Sequence, residues 1–260
     1  MSFLSNLFHS TSLSSLARKT GYVKDQMGIQ NRYVRENAQW KSHLEQTKAY
    51  IVASAKNISS NNSVAVLGSG WLLDVPLEEL SKAFRNVYLF DIVHPETVRV
   101  KAQKIANVYL QTIDLTGGAV QLAEQSHSFE AFLLQLRGNT LDVDFNQYDF
   151  VVSVNLLNQL DIILCDYLKN KFSLQDEDLK EVRKIVQQRH INCLPKGKTC
   201  LVTDYCEENT SVTTGEVSTK QLLYCSLPNV ECTEWIWTFD TNQMYHKGYR
   251  TCLKVKAMKI

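Results

Sequence analysis

The stretch from Ser63 to Asp91 constrains the fold most. It consists of an apolar run, the turn Gly68-Ser69-Gly70, a segment with helical character and a second apolar run that ends at Asp91. This order is typical of a βαβ unit, in which glycines let a ligand approach the backbone of the first turn. We therefore expect a parallel sheet that binds a nucleotide-like ligand, with the Asp91 carboxylate accepting hydrogen bonds from both ribose hydroxyls.

Helical and strand-like segments continue to alternate after this unit, which favours an α/β fold. Tyr148 to Val154 is the most apolar strand-like run, as expected of a central parallel strand that is covered on both faces. Ser173 and Asp176 are interpreted as the cap of a long helix. The further predicted segments are helices at 71–84 and 95–106 and strands at 108–114 and 198–204.

The C-terminal part has the pattern of an antiparallel hairpin. Thr233, Trp235, Trp237 and Phe239 alternate on one strand face, and alternate residues from 249 to 257 do the same. Before it, residues 207–216 are predicted as a loop and residues 218–226 as a short helix. The predicted fold is a doubly wound α/β sheet of seven strands, mostly parallel, with an antiparallel hairpin at its end.

The first 60 residues are predicted to form a helical extension or cap, followed by the main domain at 61–260. Trp40, Leu44, Thr47 and Ile51 step by four, three and four, so they fall on one helical face, and Tyr33 falls on it as well. The serine-rich start is interpreted as an amphipathic helix rather than a targeting segment. Residues 1–62 carry eight Lys/Arg and three Asp/Glu.

The composition excludes several classes of protein. A net charge of +1 gives no general attraction to nucleic acids or to a membrane surface. The seven cysteines form no C-x-x-C pair, which predicts free thiols and a cytoplasmic location. The histidines have no ligand spacing among themselves or with cysteines, so no metal site is expected.

These features together resemble class I S-adenosylmethionine-dependent methyltransferases over roughly residues 62–260. The resemblance rests on the glycine turn with Asp91, on Leu194-Pro-Lys-Gly197 before the fifth strand, and on the final hairpin. Motif I departs from the family pattern, because Val66 replaces the usual acid and Leu72 the usual third glycine. A dinucleotide fingerprint fits less well, since it requires a small residue where Leu73 stands.

The resemblance implies S-adenosylmethionine as the cofactor and methyl transfer as the reaction. Asp74 is a possible substitute for the missing acid, and Asp114 either accepts from the adenine amine or caps the next helix. The implied cofactor-binding residues are Gly68, Ser69, Gly70, Asp74, Asp91, Ile92, Asp114, Leu115 and Asn155.

The acceptor is predicted to be a small molecule under the helical extension. The fourth strand ends in Asn155-Leu-Leu-Asn158, which lacks the proline-rich tetrapeptide of amino-directed nucleic-acid methylases. Arg32, Arg35, Asn158 and Gln159 are candidate substrate residues, and the basic extension predicts acceptors that carry an acidic group. Asn158, His43 and His246 are the catalytic candidates.

These residues also have structural alternatives. The arginines can be solvated surface charges, His43 can be a buried structural residue, and Asn158 can lie at the start of a helix. Two other functions also remain open. Val66 and Leu72 are compatible with a non-catalytic binding protein that keeps the methyltransferase fold. A NAD(P)-dependent oxidoreductase ranks below both.

Overall fold

A computed structural model describes Leu13 and residues 15–260; most of the serine-rich start lies outside the described residues. A single mixed sheet carries helices on both faces. The helices are α1 (Tyr22–Ala55), α2 (Leu77–Ala83), α3 (Glu96–Gln103), α4 (Ala119–Gln125), α5 (Phe129–Gly138), α6 (Ile162–Phe172) and α7 (Lys180–Cys193). The strands are β1 (Ser63–Leu67), β2 (Asn86–Asp91), β3 (Val108–Thr112), β4 (Phe150–Val154), β5 (Thr199–Ser211), β6 (Val217–Gln221), β7 (Cys232–Asp240) and β8 (Tyr249–Lys259).

The strand order confirms the predicted fold class. The sheet runs β3-β2-β1-β4-β5-β8-β7, with β1 to β5 parallel and β8 antiparallel to both of its neighbours. The last strand is thus inserted between β5 and β7, as the resemblance to class I methyltransferases implied. All five residues of β4 are buried, because apolar layers cover both faces of this central strand.

The structure corrects the prediction for residues 207–226. β5 continues to Ser211 instead of ending in a loop, and residues 217–221 form the additional strand β6 instead of a helix. The reason is that β8 is long enough to pair with β5 up to Ser211, while β6 pairs with the other edge of the same extension. Backbone pairing therefore makes a strand of a polar stretch that lacks an apolar pattern.

Two helix starts also differ from prediction. Residues 69–76 form a loop, and α2 begins after Pro76, which suits a helix start because its missing N–H needs no partner there. Ser173 ends α6 in a left-handed conformation, and α7 begins after Leu179 without a side-chain cap. The sequence pattern placed each of these helices too early.

Helix α1 packs its predicted face on the sheet beside β7. Trp40, Leu44, Thr47 and Ile51 are buried, and Trp40 donates through Nε1 to the carbonyl of Phe239 at 2.8 Å. The helix is interrupted at Glu36, whose backbone leaves helical geometry. Its carboxylate accepts four hydrogen bonds from the loop after β7. These contacts fix the first half of α1 above the carboxyl ends of the strands.

No helix in the described part of the chain is both long and apolar enough to cross a membrane. All seven cysteines are free thiols in the structure, as predicted.

Candidate functional site

A cleft opens at the carboxyl ends of β1 to β4 and is covered by α1. Its empty volume, open solvent at the mouth included, is about 1020 Å³. β1 lies between β2 and β4, where the strand order reverses. Doubly wound sheets bind their ligands at this switch point.

The glycine turn forms one wall of the cleft. Gly68 and Gly70 have φ values of +78° and +45°, which side chains rarely adopt. A Cβ on Gly68 would lie 2.8 Å from Cβ of Leu156, whereas one on Gly70 would meet nothing closer than 3.9 Å. The first glycine is therefore required by the packing of the β1 turn on the loop after β4, a reason that the motif alone did not give.

Asp91 joins this turn to the end of β2. Its carboxylate accepts hydrogen bonds from the backbone N–H groups of Gly70 (2.8 Å) and Val93 (3.3 Å) and from Gln26 Nε2 (3.2 Å). Burial raises its pKa to about 6, against the opposing effect of the backbone hydrogen bonds. Gln26, from α1, therefore fills one acceptor position of this carboxylate.

Asp114 organises the loop after β3. Its carboxylate accepts from the N–H and hydroxyl of Thr116 and from the N–H of Val120, at the start of α4. Burial raises its pKa, against these hydrogen bonds. The structure thus shows the helix-capping role, while Asp114 also lines the cleft. A contact with adenine remains a prediction.

A buried network crosses the opposite end of the cleft. Trp235 Nε1 donates to His43 Nδ1 at 3.0 Å, and Asn155 Nδ2 lies 3.1 Å from His43 Nε2 and 2.7 Å from Asp74 Oδ2. Burial lowers the pKa of His43 to about 3, so the ring is neutral. Because an indole N–H only donates, Nδ1 of this neutral ring is the acceptor and Nε2 carries the proton.

This proton leaves the network with two arrangements. If Asp74 is ionised, the Asn155 amide nitrogen donates to it and faces the N–H of His43, which has no acceptor. If Asp74 is protonated, a half-turn of the amide presents Oδ1 to both donors, and the amide NH₂ group then stands where Oδ1 had no partner. This arrangement pairs His43 Nε2–H and so favours the protonated carboxyl, and burial also raises the pKa of Asp74 against the hydrogen bond from Asn155.

The charged side chains that line the cleft in the described part of the chain are all acidic. Four carboxylates line it, and no lysine, arginine or histidine is among the lining residues in the described part of the chain. Lys48 on α1 acts on Asp74 through its charge but does not line the cleft. Such a site attracts cations and repels anions. The four carboxylates are Asp25, Asp74, Asp91 and Asp114.

The structure brings all nine predicted cofactor-binding residues together. Gly68, Ser69, Gly70, Asp74, Asp91, Ile92, Asp114, Leu115 and Asn155 all line the cleft, as does Gln159. Asn158 does not, since its side chain is directed to Asp204 Oδ2 at 3.4 Å.

The basic candidates lie elsewhere. Arg35 is exposed and bonds only to the carbonyl of Asn31 among the described residues. Arg32 stacks over the rings of Phe239 and Tyr245, outside the cleft lining. His246 bonds to Glu207 in a separate groove, and His43 is buried within the network above. The structure places neither arginine in the cleft as a ligand for an acidic acceptor.

Sequence reasoning missed several residues that line the cleft. Tyr22, Gln26 and Ile29 come from the first half of α1, which shows no regular apolar pattern. Trp40 and Trp237 were recognised as packing residues, but their rings also face the cleft, with centroids 4.7 Å apart. The sequence feature that could have indicated this role is the presence of tryptophans on the predicted buried faces of both α1 and β7.

Comparisons with known proteins give similar folds at low identity. No family model and no curated protein matches the chain. A DhpI–SAH complex is 12% identical, with 90% of this chain and 94% of that chain covered and a TM-score of 0.39. The YcgJ protein from Bacillus subtilis is 10% identical, with 83% and 98% covered and a TM-score of 0.41.

A third structure is the 1,6-didemethyltoxoflavin-N1-methyltransferase of Burkholderia thailandensis, with bound 1,6-didemethyltoxoflavin and S-adenosylhomocysteine. It is 9% identical, with 90% of this chain and 87% of that chain covered and a TM-score of 0.36. With TM-scores below 0.5, the ligands of these proteins do not transfer to this chain. The strand order and the cleft themselves define a doubly wound α/β protein with a cleft at the switch point of its sheet.

Proposed function

We propose that the protein is an S-adenosylmethionine-dependent methyltransferase that acts on a small molecule. The observation that carries this proposal is the acidic cleft at the switch point, lined by four carboxylates and by no cationic side chain within the described chain. S-adenosylmethionine brings a sulfonium and an ammonium group, so an acidic cleft suits it. A dinucleotide brings a pyrophosphate, which the same cleft repels.

The start of α2 gives a second argument against a dinucleotide. A pyrophosphate normally sits on the N-terminus of the helix that directly follows the glycine turn. Here residues 71–76 separate the turn from α2, which begins at Leu77. The cleft therefore offers glycine backbone and carboxylates but lacks the helix terminus that a phosphate needs.

Each part of the cleft has a role in this proposal. The turn at Gly68 to Gly70 lets the nucleoside approach the backbone, and Asp91 accepts from the ribose hydroxyls after Gln26 moves aside. Ile92 and Leu115 provide apolar walls for the adenine, beside Asp114. When bound, the cofactor supplies an activated methyl group with a neutral thioether as leaving group. The protein then needs mainly to align and desolvate the acceptor.

Calorimetry on the full chain tests this proposal. We expect S-adenosylmethionine and S-adenosylhomocysteine to bind with a 1:1 stoichiometry, and NAD and NADP to show no heat of binding. The fold-matched alternative, a non-catalytic binding protein, predicts cofactor binding without turnover of any acceptor. Binding of NAD in preference to S-adenosylhomocysteine would refute the proposal in favour of an oxidoreductase.

A further inference from the structure

The cleft has a second compartment beyond the glycine turn. Its wall is continuous: Asp74 contacts Asn155, whose amide reaches His43, and the His43 ring stacks on Trp237 with centroids 3.9 Å apart. Trp237 in turn forms a T-shaped contact with Trp40, with ring centroids 4.7 Å apart. Apolar side chains of α1 and of the loop after β1 complete it, namely Ile29, Leu44 and Leu73. This second compartment is part of the same cleft as Asp91 and Asp114.

Its surface chemistry fits a cation on an apolar body. Apolar and aromatic side chains line this part of the cleft, and Asp74 supplies a negative charge beside them. The cofactor brings two positive charges and one negative charge. The four carboxylates that line the cleft exceed that net charge of +1. A positively charged acceptor reduces the excess of negative charge, whereas an anionic acceptor adds to it.

Building on the proposed function, we infer that the methyl acceptor is a small apolar or aromatic amine, which binds beside Trp40 and Trp237 and transfers its ammonium proton to Asp74. This differs from both expectations drawn from the sequence. Asp74 serves the acceptor rather than the cofactor, and the favoured acceptors carry an amine rather than an acidic group.

The network behind Asp74 suits it to receive that proton. When the carboxylate takes a proton from the ammonium group, the Asn155 amide turns, and its oxygen accepts from both Asp74 and His43 Nε2–H. The freed amine nitrogen then attacks the methyl carbon, the carbon–sulfur bond breaks, and its electron pair returns to sulfur as the neutral thioether. The product leaves as a methylated ammonium ion, and Asp74 then releases its proton to solvent. Asp74 contacts the substrate, whereas Asn155 and His43 act as positioning residues.

An unpartnered polar atom supports a ligand at this wall. Asn155 is 8% exposed, and its Oδ1 is buried without a hydrogen-bond partner. The Nε1–H of Trp237, which is 6% exposed, is buried without one as well. Buried polar groups are rarely left unpaired unless a ligand or water completes them. After the amide turns, Asn155 presents an NH₂ group at this position.

The experiment compares small-molecule probes that have similar aromatic groups but different charges. We propose to measure S-adenosylhomocysteine formation with 2-phenylethylamine and tryptamine, against 3-phenylpropionate, indole-3-propionate and 2-phenylethanol. The expected result is turnover of at least one amine and of neither carboxylate. Quenching of tryptophan fluorescence with S-adenosylhomocysteine bound measures binding without turnover, and here the amines should bind at least about 10-fold more tightly.

Variants separate the two roles of Asp74. Asp74→Asn should lower kcat for the amine by about 100-fold or more, as expected for loss of a general base, while S-adenosylhomocysteine affinity changes by less than about 3-fold. Asp142→Asn, at an exposed site outside the cleft, is the matched control and should leave both unchanged. His43→Phe should move the acidic limb of the kcat profile to lower pH, because a proton on Asp74 is no longer stabilised.

Several outcomes would overturn the inference. If S-adenosylhomocysteine binds but the carboxylate or alcohol probes are turned over or bound as well as the amines, the amine assignment is wrong while the proposed function stands. The same follows if no amine binds, or if Asp74→Asn loses cofactor affinity rather than kcat. If S-adenosylhomocysteine does not bind to the unaltered protein, the proposed function fails and this inference with it.

Discussion

Replacing Asp91 with asparagine should stabilise the folded protein at neutral pH and weaken cofactor binding. In the folded protein the Asp91 side chain is 7% exposed, and burial raises its pKa from 3.8 to about 6. Its protonated form is thus favoured by folding. This stabilisation is complete below pH 3.8 and is lost as the pH rises through about 6.

The size of the effect follows from these two pKa values. A difference of about two units corresponds to about 3 kcal/mol of lost stability once Asp91 is fully ionised. Between pH 5 and pH 8 the loss is about 1.4 kcal/mol. The asparagine carries no charge, so the free-energy difference between the variant and the wild type should grow by that amount over this range.

Changes in the hydrogen bonds around position 91 reduce the stability that the variant gains from loss of the charge. Gly70 N–H can still donate to the asparagine oxygen. Gln26 Oε1, which is buried without a partner, can accept from the new amide after a half-turn of the Gln26 side chain. Only the long contact with Val93 N–H is lost, at a cost of about 1 kcal/mol. We therefore expect a net stabilisation of about 1 to 2 kcal/mol at pH 8.

The assay is urea denaturation at pH 5, 6, 7 and 8, together with S-adenosylhomocysteine calorimetry. Asp142→Asn is the control for removal of a surface charge. Loss of a charged ribose acceptor should weaken cofactor binding by roughly 10- to 100-fold. A stability difference that stays flat from pH 5 to pH 8 would show that Asp91 ionises as an exposed carboxyl does, and unchanged cofactor affinity would remove it from the cofactor site.

Two further predictions concern stability. Gly68→Ala places a Cβ 2.8 Å from that of Leu156 at a φ of +78°. It should lower the free energy of unfolding, measured by urea denaturation, by about 1 to 3 kcal/mol. Gly28→Ala is the control, because a Cβ there meets nothing within 4 Å, and it should be neutral or slightly stabilising. Glu36→Ala removes four hydrogen bonds at the interruption in α1 and should cost about 2 to 4 kcal/mol at pH 7, against little change for the exposed Glu45→Ala. Burial opposes ionisation of Glu36, but the hydrogen bonds prevail and lower its pKa. The stability that Glu36 contributes should therefore disappear as the pH falls below the ordinary value of 4.5. A loss of stability in the variant that does not change with pH would show that the ionised carboxylate is not its source.

The sequence by itself determined the order of the main elements and their buried faces. The glycine turn with Asp91, the apolar strand β4 and the alternating hairpin β7–β8 were all predicted correctly. So was the buried face of α1 around Trp40. These features depend on local periodicity, because a helix or strand that covers a core must repeat its apolar residues every 3.6 or 2 positions.

Only the tertiary structure decided the rest. The extension of β5 and the existence of β6 depend on pairing with β8, which no local pattern reports. The hydrogen-bond network behind Asp74 depends on Trp235 and His43, which are 192 positions apart in the chain. The cleft became acidic because folding directed Arg32 and Arg35 away from it, although they lie in the basic N-terminal part. Net charge and motif spacing describe the chain, whereas the chemistry of a cleft is set by which distant side chains the fold brings into one low-dielectric space.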